Sequence, residues 1–247
     1  MLETSRLITC RRRAGTAGFA LSPAAVSLKR CGDDSRKRRR EAQVQAREVK
    51  MYSDYKSPFA YLAFDPAFEL ERRYRVRIRW IPFQLRIKDK GERSIYSEYK
   101  ARYSYLDARR WAKPRGIVIK GPLKVYDTTP ALIGGLYAAT RGRLLDYSRR
   151  AYELFFRREF EADRPDAVAA LLISLGLDAG EYHDYRNGEG ALAYERAQSE
   201  AAADRIFGVP ILIFEGEPFW GHDRLPVLEQ RLTEAGLAIA QPGPIPR

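Results

Sequence analysis

Residues 48 to 63, EVKMYSDYKSPFAYLA, pass from a two-residue period straight into a helical one. Val49, Met51 and Ser53 fall on one face and Lys50, Tyr52 and Asp54 on the other, which is strand periodicity. Ser57 then has the properties of a helix N-cap and Pro58 those of a first helical residue: the hydroxyl can accept from an orphan N–H, and proline has none to lose. Phe59, Leu62, Ala63, Ala67 and Leu70 follow at helical spacing. Asp65-Pro66 lies inside that pattern and predicts a kink, or a restart with Asp65 as a second cap. In YRVRIRWIP, residues 74–82, Val76, Ile78 and Trp80 face one way and Arg75, Arg77 and Arg79 the other. Strand, helix and strand so close together predict a parallel βαβ unit with a right-handed crossover.

The remainder sorts into two parts. Residues 94 to about 207 hold helical patterns, among them Leu144 to Phe160 and Asp166 to Leu175, the latter closed by Gly176. GIVIK at 116–120 is the one strand candidate there. Strand character returns with the apolar run Pro210 to Phe214; EGE reads as a turn and PFW as a short partner strand. A last helix carries Leu225, Leu228 and Leu232 inward and ends near Gly236. The outer pieces, βαβ and ββα, complete each other as a small mixed sheet with helices on it. The expected domains are therefore a discontinuous α/β domain at 47–93 and 205–238, a helical insertion at 94–204, and tails at 1–46 and 239–247.

Charge divides unevenly along the chain. The net charge of +12 looks like a nucleic-acid signal, but residues 1–50 hold 13 Lys/Arg against 5 Asp/Glu, and the other 197 residues hold 31 against 27. The first segment, with RRR at 11–13 and RKRRR at 36–40, lacks apolar periodicity and is expected to be a disordered basic extension. A targeting peptide and a phosphate-binding arm are its rival readings. Stacking of nucleic-acid bases on the tyrosines of residues 94–115 is conceivable, but a helix with a packed aromatic stripe is the ordinary explanation. No run approaches the roughly 18–20 apolar residues that cross a bilayer. Cys10 and Cys31 are the only cysteines, too few for a disulfide scaffold; they fit a reducing compartment, or an oxidising one where nothing is bridged, and a cytoplasmic setting is expected. His183 and His222, without nearby cysteines, make no plausible metal site.

Three motifs taken together resemble a known family. Asp54, Ser57, Pro58, Tyr61, Leu62 and Ala63 match a "D-x-x-SP-x-x-YLA" segment, Gly208-Val209-Pro210 a "GVP" segment, and Phe219, Gly221, Asp223 and Arg224 an "F-x-G-x-DR" segment. Over about residues 48–236 the chain resembles the DsbA-like branch of the thioredoxin fold. Within it, the glutathione-dependent 2-hydroxychromene-2-carboxylate isomerases and kappa-class glutathione transferases are most similar. The resemblance implies a thioredoxin-like fold with an inserted helical domain, and a place for glutathione. Ser57 stands where redox members keep the first cysteine of Cys-x-x-Cys and Ala60 where they keep the second, so protein thiol–disulfide exchange has no sulfur at this corner. The roles implied are a catalytic Ser57 holding a borrowed thiolate at a helix N-terminus, and a cis Val209-Pro210 pairing with the cysteinyl part of glutathione. Asp223 and Arg224, with the backbone near His222, match the position of the γ-glutamyl end. Phe59, Trp80 and Pro82 are implied lining of the second-substrate pocket. Lys56 departs from the apolar residue usual before the serine; it could stabilise a thiolate, bind a substrate carboxylate, or point to solvent.

The implied partners are glutathione and a small aromatic-derived carboxylate, and a homodimer is left open. A kappa-like transferase and a non-catalytic peptide-binding member are the alternative functions. Ser57 and Asp223 also have a plainer reading as helix caps. The functional reading requires a cleft that reaches the Ser57 hydroxyl.

Overall fold

The computed structural model describes residues 46–87 and 94–239. The expected basic extension, both cysteines and the last eight residues lie outside the described residues.

The N-terminal βαβ unit forms as its periodicity requires. Strand β1 (Arg47–Ser53) and strand β2 (Val76–Pro82) pair in parallel from Arg47 opposite Val76 to Ser53 opposite Pro82. Between them helix α1 spans Pro58–Arg73. It starts where expected, with Ser57 in extended backbone and its side chain accepting from the Ala60 N–H. It neither ends nor restarts at Pro66, which lies within the continuous helix. Asp65, expected as a possible second cap, instead reaches the Arg149 guanidinium at 2.7 Å.

Seven further helices follow among the described residues. They are α2 (Ile95–Ala112), α3 (Thr129–Thr140), α4 (Leu144–Arg157), α5 (Pro165–Ser174), α6 (Ala179–Asn187), α7 (Glu189–Ala203) and α8 (Leu225–Glu234). Between α7 and α8 run strands β3 (Ile211–Phe214) and β4 (Glu217–Trp220). β3 lies antiparallel to β1 and to β4, giving the sheet order β2-β1-β3-β4. The GIVIK segment is not a strand. Its Ile119 is buried in the helical core and the Lys120 N–H donates to the Phe156 carbonyl at 2.8 Å, so a β-branched run serves as packed irregular chain.

The sheet separates two clusters of buried side chains. On one face Val49, Met51, Val76, Ile78 and Trp80 pack with Leu62 and Leu70 of α1 and Leu228 and Leu232 of α8. That cluster continues without a break into the helices, through Tyr137, Tyr152, Phe156 and Leu172. On the other face Tyr52, Ile81, Ile211 and Ile213 meet Ala197 and Ala201 of α7. At the edge of that face, Lys50 and Tyr52 both donate to Asp204 at 2.6 Å, and Lys50 and Arg79 both pair with Glu200.

Aromatic rings fill the junction between sheet and helices. Tyr55, fully buried, has ring centroids of Trp80, Tyr147 and Tyr152 within 5.8 Å. Gly135 of α3 makes this possible, because a Cβ there would stand 2.5 Å from the Tyr55 hydroxyl and 2.8 Å from the Trp80 ring. Helix α2 differs from its expectation. The aromatic stripe is packed only in part: Tyr105 lies against the core, whereas Tyr99, Tyr103 and Trp111 are each more than half exposed.

Candidate functional site

The carboxyl end of β1 turns into α1 through Asp54, Tyr55 and Lys56. Pro58 brings no N–H, the Ala60 N–H is capped by Ser57 Oγ at 3.2 Å, and the Tyr61 N–H bonds the Ser57 carbonyl at 3.1 Å. Among the described residues nothing accepts from the Phe59 N–H. The first turn thus keeps one open donor at the positive end of the helix dipole, a setting that favours an anion.

Ser57 is packed against the second segment. The Val209-Pro210 peptide is cis, as the resemblance implied, and Ser57 Oγ donates to the Val209 carbonyl at 3.1 Å. Among the described residues the Val209 N–H has no acceptor. Ser57 itself is only 3% exposed, so the cleft that the functional reading requires does not stand open at its hydroxyl in this structure. Its proton is committed to Val209, so the hydroxyl can serve a ligand only by rotating away from that carbonyl. The capping role of Ser57 is therefore present in the structure.

The third segment closes against the same helix. Gly221, at φ +113°, leads into a single turn of 3₁₀ helix at His222–Arg224; a Cβ on Gly221 would collide with the Asp223 carboxylate. Asp223 and Arg224 are partly exposed and paired at 3.2 Å. The His222 ring stacks on Phe59, centroids 5.2 Å apart and 12° from parallel, and meets the edge of Trp111 at 4.9 Å. Burial holds the His222 imidazole below its usual range, against the upward pull of Asp223 and Asp107. Its Nε2 is covered and has no hydrogen-bond partner among the described residues.

Lys56 does not point to solvent. It is 6% exposed, with Nζ 3.4 Å from Asp54 Oδ2 and 3.2 Å from the Tyr126 carbonyl it donates to. Trp80 and Pro82, expected to line the pocket, are buried instead. Trp80 packs beneath Tyr55, and the Pro82 carbonyl accepts from Gln198 of α7 at 2.9 Å. Both follow the inward register of β2, which turns them into the supports of the corner rather than its lining.

Asp54 is the residue whose importance the sequence reading missed. Fully buried, its carboxylate accepts from Thr128 Oγ1 at 2.7 Å, the Leu85 N–H at 2.7 Å and the Lys56 N–H at 3.2 Å. It thereby joins the end of β1, the chain after β2 and the start of α3. Burial pushes its carboxyl above the usual range, while Lys56 and these donors pull it back down. The available signal was an acid two residues ahead of a lysine at the buried end of a strand, together with Asp127-Thr128-Thr129-Pro130 as a helix start.

The described residues therefore bring together Ser57, Phe59, Val209, Pro210 and His222, with Asp223 and Arg224 at the rim and Lys56 on the Asp54 side. Residues 48–233 match the family of DSBA-like thioredoxin domains. The 2-hydroxychromene-2-carboxylate isomerase of Pseudomonas putida is 28% identical over 190 residues, covering 74% of this chain and 93% of that one. That of Sphingobium xenophagum is 24% identical over 192 residues, covering 75% and 98%. A solved structure of 2-hydroxychromene-2-carboxylate isomerase superposes with a TM-score of 0.65 at 24% identity, over 76% of this chain and 96% of that one.

Proposed function

The chain belongs to the DSBA-like thioredoxin domain family, and from that premise we propose that it is a glutathione-dependent isomerase of the 2-hydroxychromene-2-carboxylate isomerase type. The observation that carries this reading is the placement of Ser57 at the N-terminus of α1 against the cis Val209-Pro210 peptide. Among the described residues no cysteine stands in that corner, and one first-turn N–H is open.

The residues present fit glutathione on their own chemistry. The open Val209 N–H and the edge of the chain beside it suit an extended peptide laid alongside. Asp223 suits the ammonium of a γ-glutamyl end, and Arg224 a carboxylate near it. The Phe59 N–H and the helix dipole favour the thiolate over the thiol, and Ser57 Oγ adds a second donor once it turns from Val209. Bound glutathione supplies a thiolate that can add reversibly to a conjugated double bond and so release its geometry. The protein's task is then to hold that sulfur ionised, orient the acceptor, and keep other nucleophiles out. Phe59, stacked on His222, gives an apolar wall next to the helix start.

Glutathione-dependent cis–trans turnover of a hydroxychromene carboxylate tests this. Ser57→Ala should lower kcat at least tenfold while glutathione still binds. Full turnover by Ser57→Ala would remove Ser57 from the chemistry. Turnover of a chlorinated nitroaromatic in place of the chromene acid would make the protein a transferase.

A further inference from the structure

Beside the corner, on the Asp54 side, lies a cavity of about 540 Å³ that is widely open to solvent; its volume falls within the roughly 300–1,000 Å³ usual for small-molecule sites. Its lining includes Lys56, Leu85, Arg86, Ile87, Val125 and Tyr126. Four of these six offer apolar or aromatic surface and two are cations. We propose that this cavity seats the acceptor, Lys56 and Arg86 taking its carboxylate and Leu85, Ile87 and Val125 its hydrocarbon part. The inference rests on the proposed isomerase reading and adds where the second substrate's charge is recognised.

The charges around the cavity support an anion there. Lys56 Nζ has three donors; the Tyr126 carbonyl takes one and Asp54, at 3.4 Å, another. A third remains for a ligand. Arg86 is exposed and has no acceptor or ion-pair partner among the described residues. Asp127 and Gln84 also reach the cavity and have to be accounted for. Asp127 Oδ1 is already bound by Gln84 Nε2 at 2.6 Å, the Thr129 N–H at 3.0 Å and Thr129 Oγ1 at 2.6 Å. It sits at the N-terminus of α3, where the helix dipole offsets a negative charge. Asp127 thus keeps its charge but is engaged with Thr129 just ahead of the helix, and Gln84 is held with it. Lys56 lines the cavity and immediately precedes Ser57 in the chain, so the cavity adjoins the turn that leads into α1.

The test is equilibrium binding of 2-hydroxycinnamate and of its neutral amide to the full-length protein, with glutathione binding measured on the same samples. The acid should bind at least tenfold more tightly than the amide, and that preference should shrink with added salt. Arg86→Gln and Lys56→Met should each weaken the acid about tenfold and leave the amide unchanged. Lys56→Met also strips Asp54 of its counter-charge, so it is read only if its melting profile shows a folded protein; Arg86→Gln, at an exposed position, carries the test regardless. Equal binding of acid and amide, or unchanged acid binding by Arg86→Gln, overturns the assignment. Glutathione binding without acid binding overturns the cavity alone. Acid binding without glutathione binding supports the cavity and overturns the proposed cofactor.

Discussion

Asp54 is the residue on which the site's geometry converges. A carboxylate without water is tolerable only with its donors in place, and here two backbone N–H groups, a hydroxyl and an ammonium surround it. Removing one partner of a buried ion pair leaves the other uncompensated, at about 3–5 kcal/mol. Asp54→Ala should therefore lower the unfolding free energy in urea by about that amount, whereas Ser57→Ala loses only a cap, about 0.5–2 kcal/mol. A loss under 1 kcal/mol for Asp54→Ala would mean that Lys56 finds water instead. The Ser57 cap and the cis Val209-Pro210 peptide were legible because each sits in a short motif whose chemistry is local. The role of Asp54 was not, because its partners Leu85 and Thr128 lie 31 and 74 residues along the chain. The direction of Lys56 was equally hidden: only the fold decides whether a lysine at a strand end meets solvent or an acid.

Among elements, α7 shows how the sheet's second face is held. Its apolar contacts with Ile81 and Ile211 are few, and the charges at the edge add to them. The Arg79 guanidinium, together with Lys50, holds the Glu200 carboxyl at about 2. A carboxyl depressed in the folded state binds fewer protons there than in the unfolded chain, so its stabilisation is complete above the unfolded value of about 4.3 and is lost as pH falls toward 2. Glu200→Gln should therefore flatten the loss of stability between pH 4.3 and 2 in urea titrations, and a titration as steep as the parent's would show that Glu200 contributes nothing there. The alternation of Arg75, Arg77 and Arg79 with Val76, Ile78 and Trp80 made β2 readable. GIVIK misled because β-branched residues suit any half-buried extended chain, and here no neighbouring strand was left to pair with it.

At the scale of the molecule, the inward face of the sheet and the helices from α3 to α6 share one continuous core. Tyr55, Tyr147, Tyr152 and Trp80 belong to both sides of it. A shared core couples the parts, so the folded body should unfold in a single transition. Far-UV ellipticity and tryptophan fluorescence, which follows Trp80, Trp111 and Trp220, should give coincident urea curves. Two separated transitions would show that the helical segment keeps its structure alone. The mixed sheet with its helical interruption could be anticipated from the order of periodicities, since βαβ and ββα each lack what the other supplies. How far the two parts would interpenetrate could not, because that depends on Gly135 admitting Tyr55 and Trp80 to the flank of α3.

Leu85 and Thr128, both clasped by Asp54, form the two ends of a long excursion of the polypeptide, and that excursion is cinched at its base. The excursion does not hang free of the corner: Trp111 within it meets His222 and the Tyr126 carbonyl holds Lys56. A replacement at either of those positions is therefore felt at the serine, whereas one at the exposed Tyr99 or Tyr103 leaves the corner as it stands.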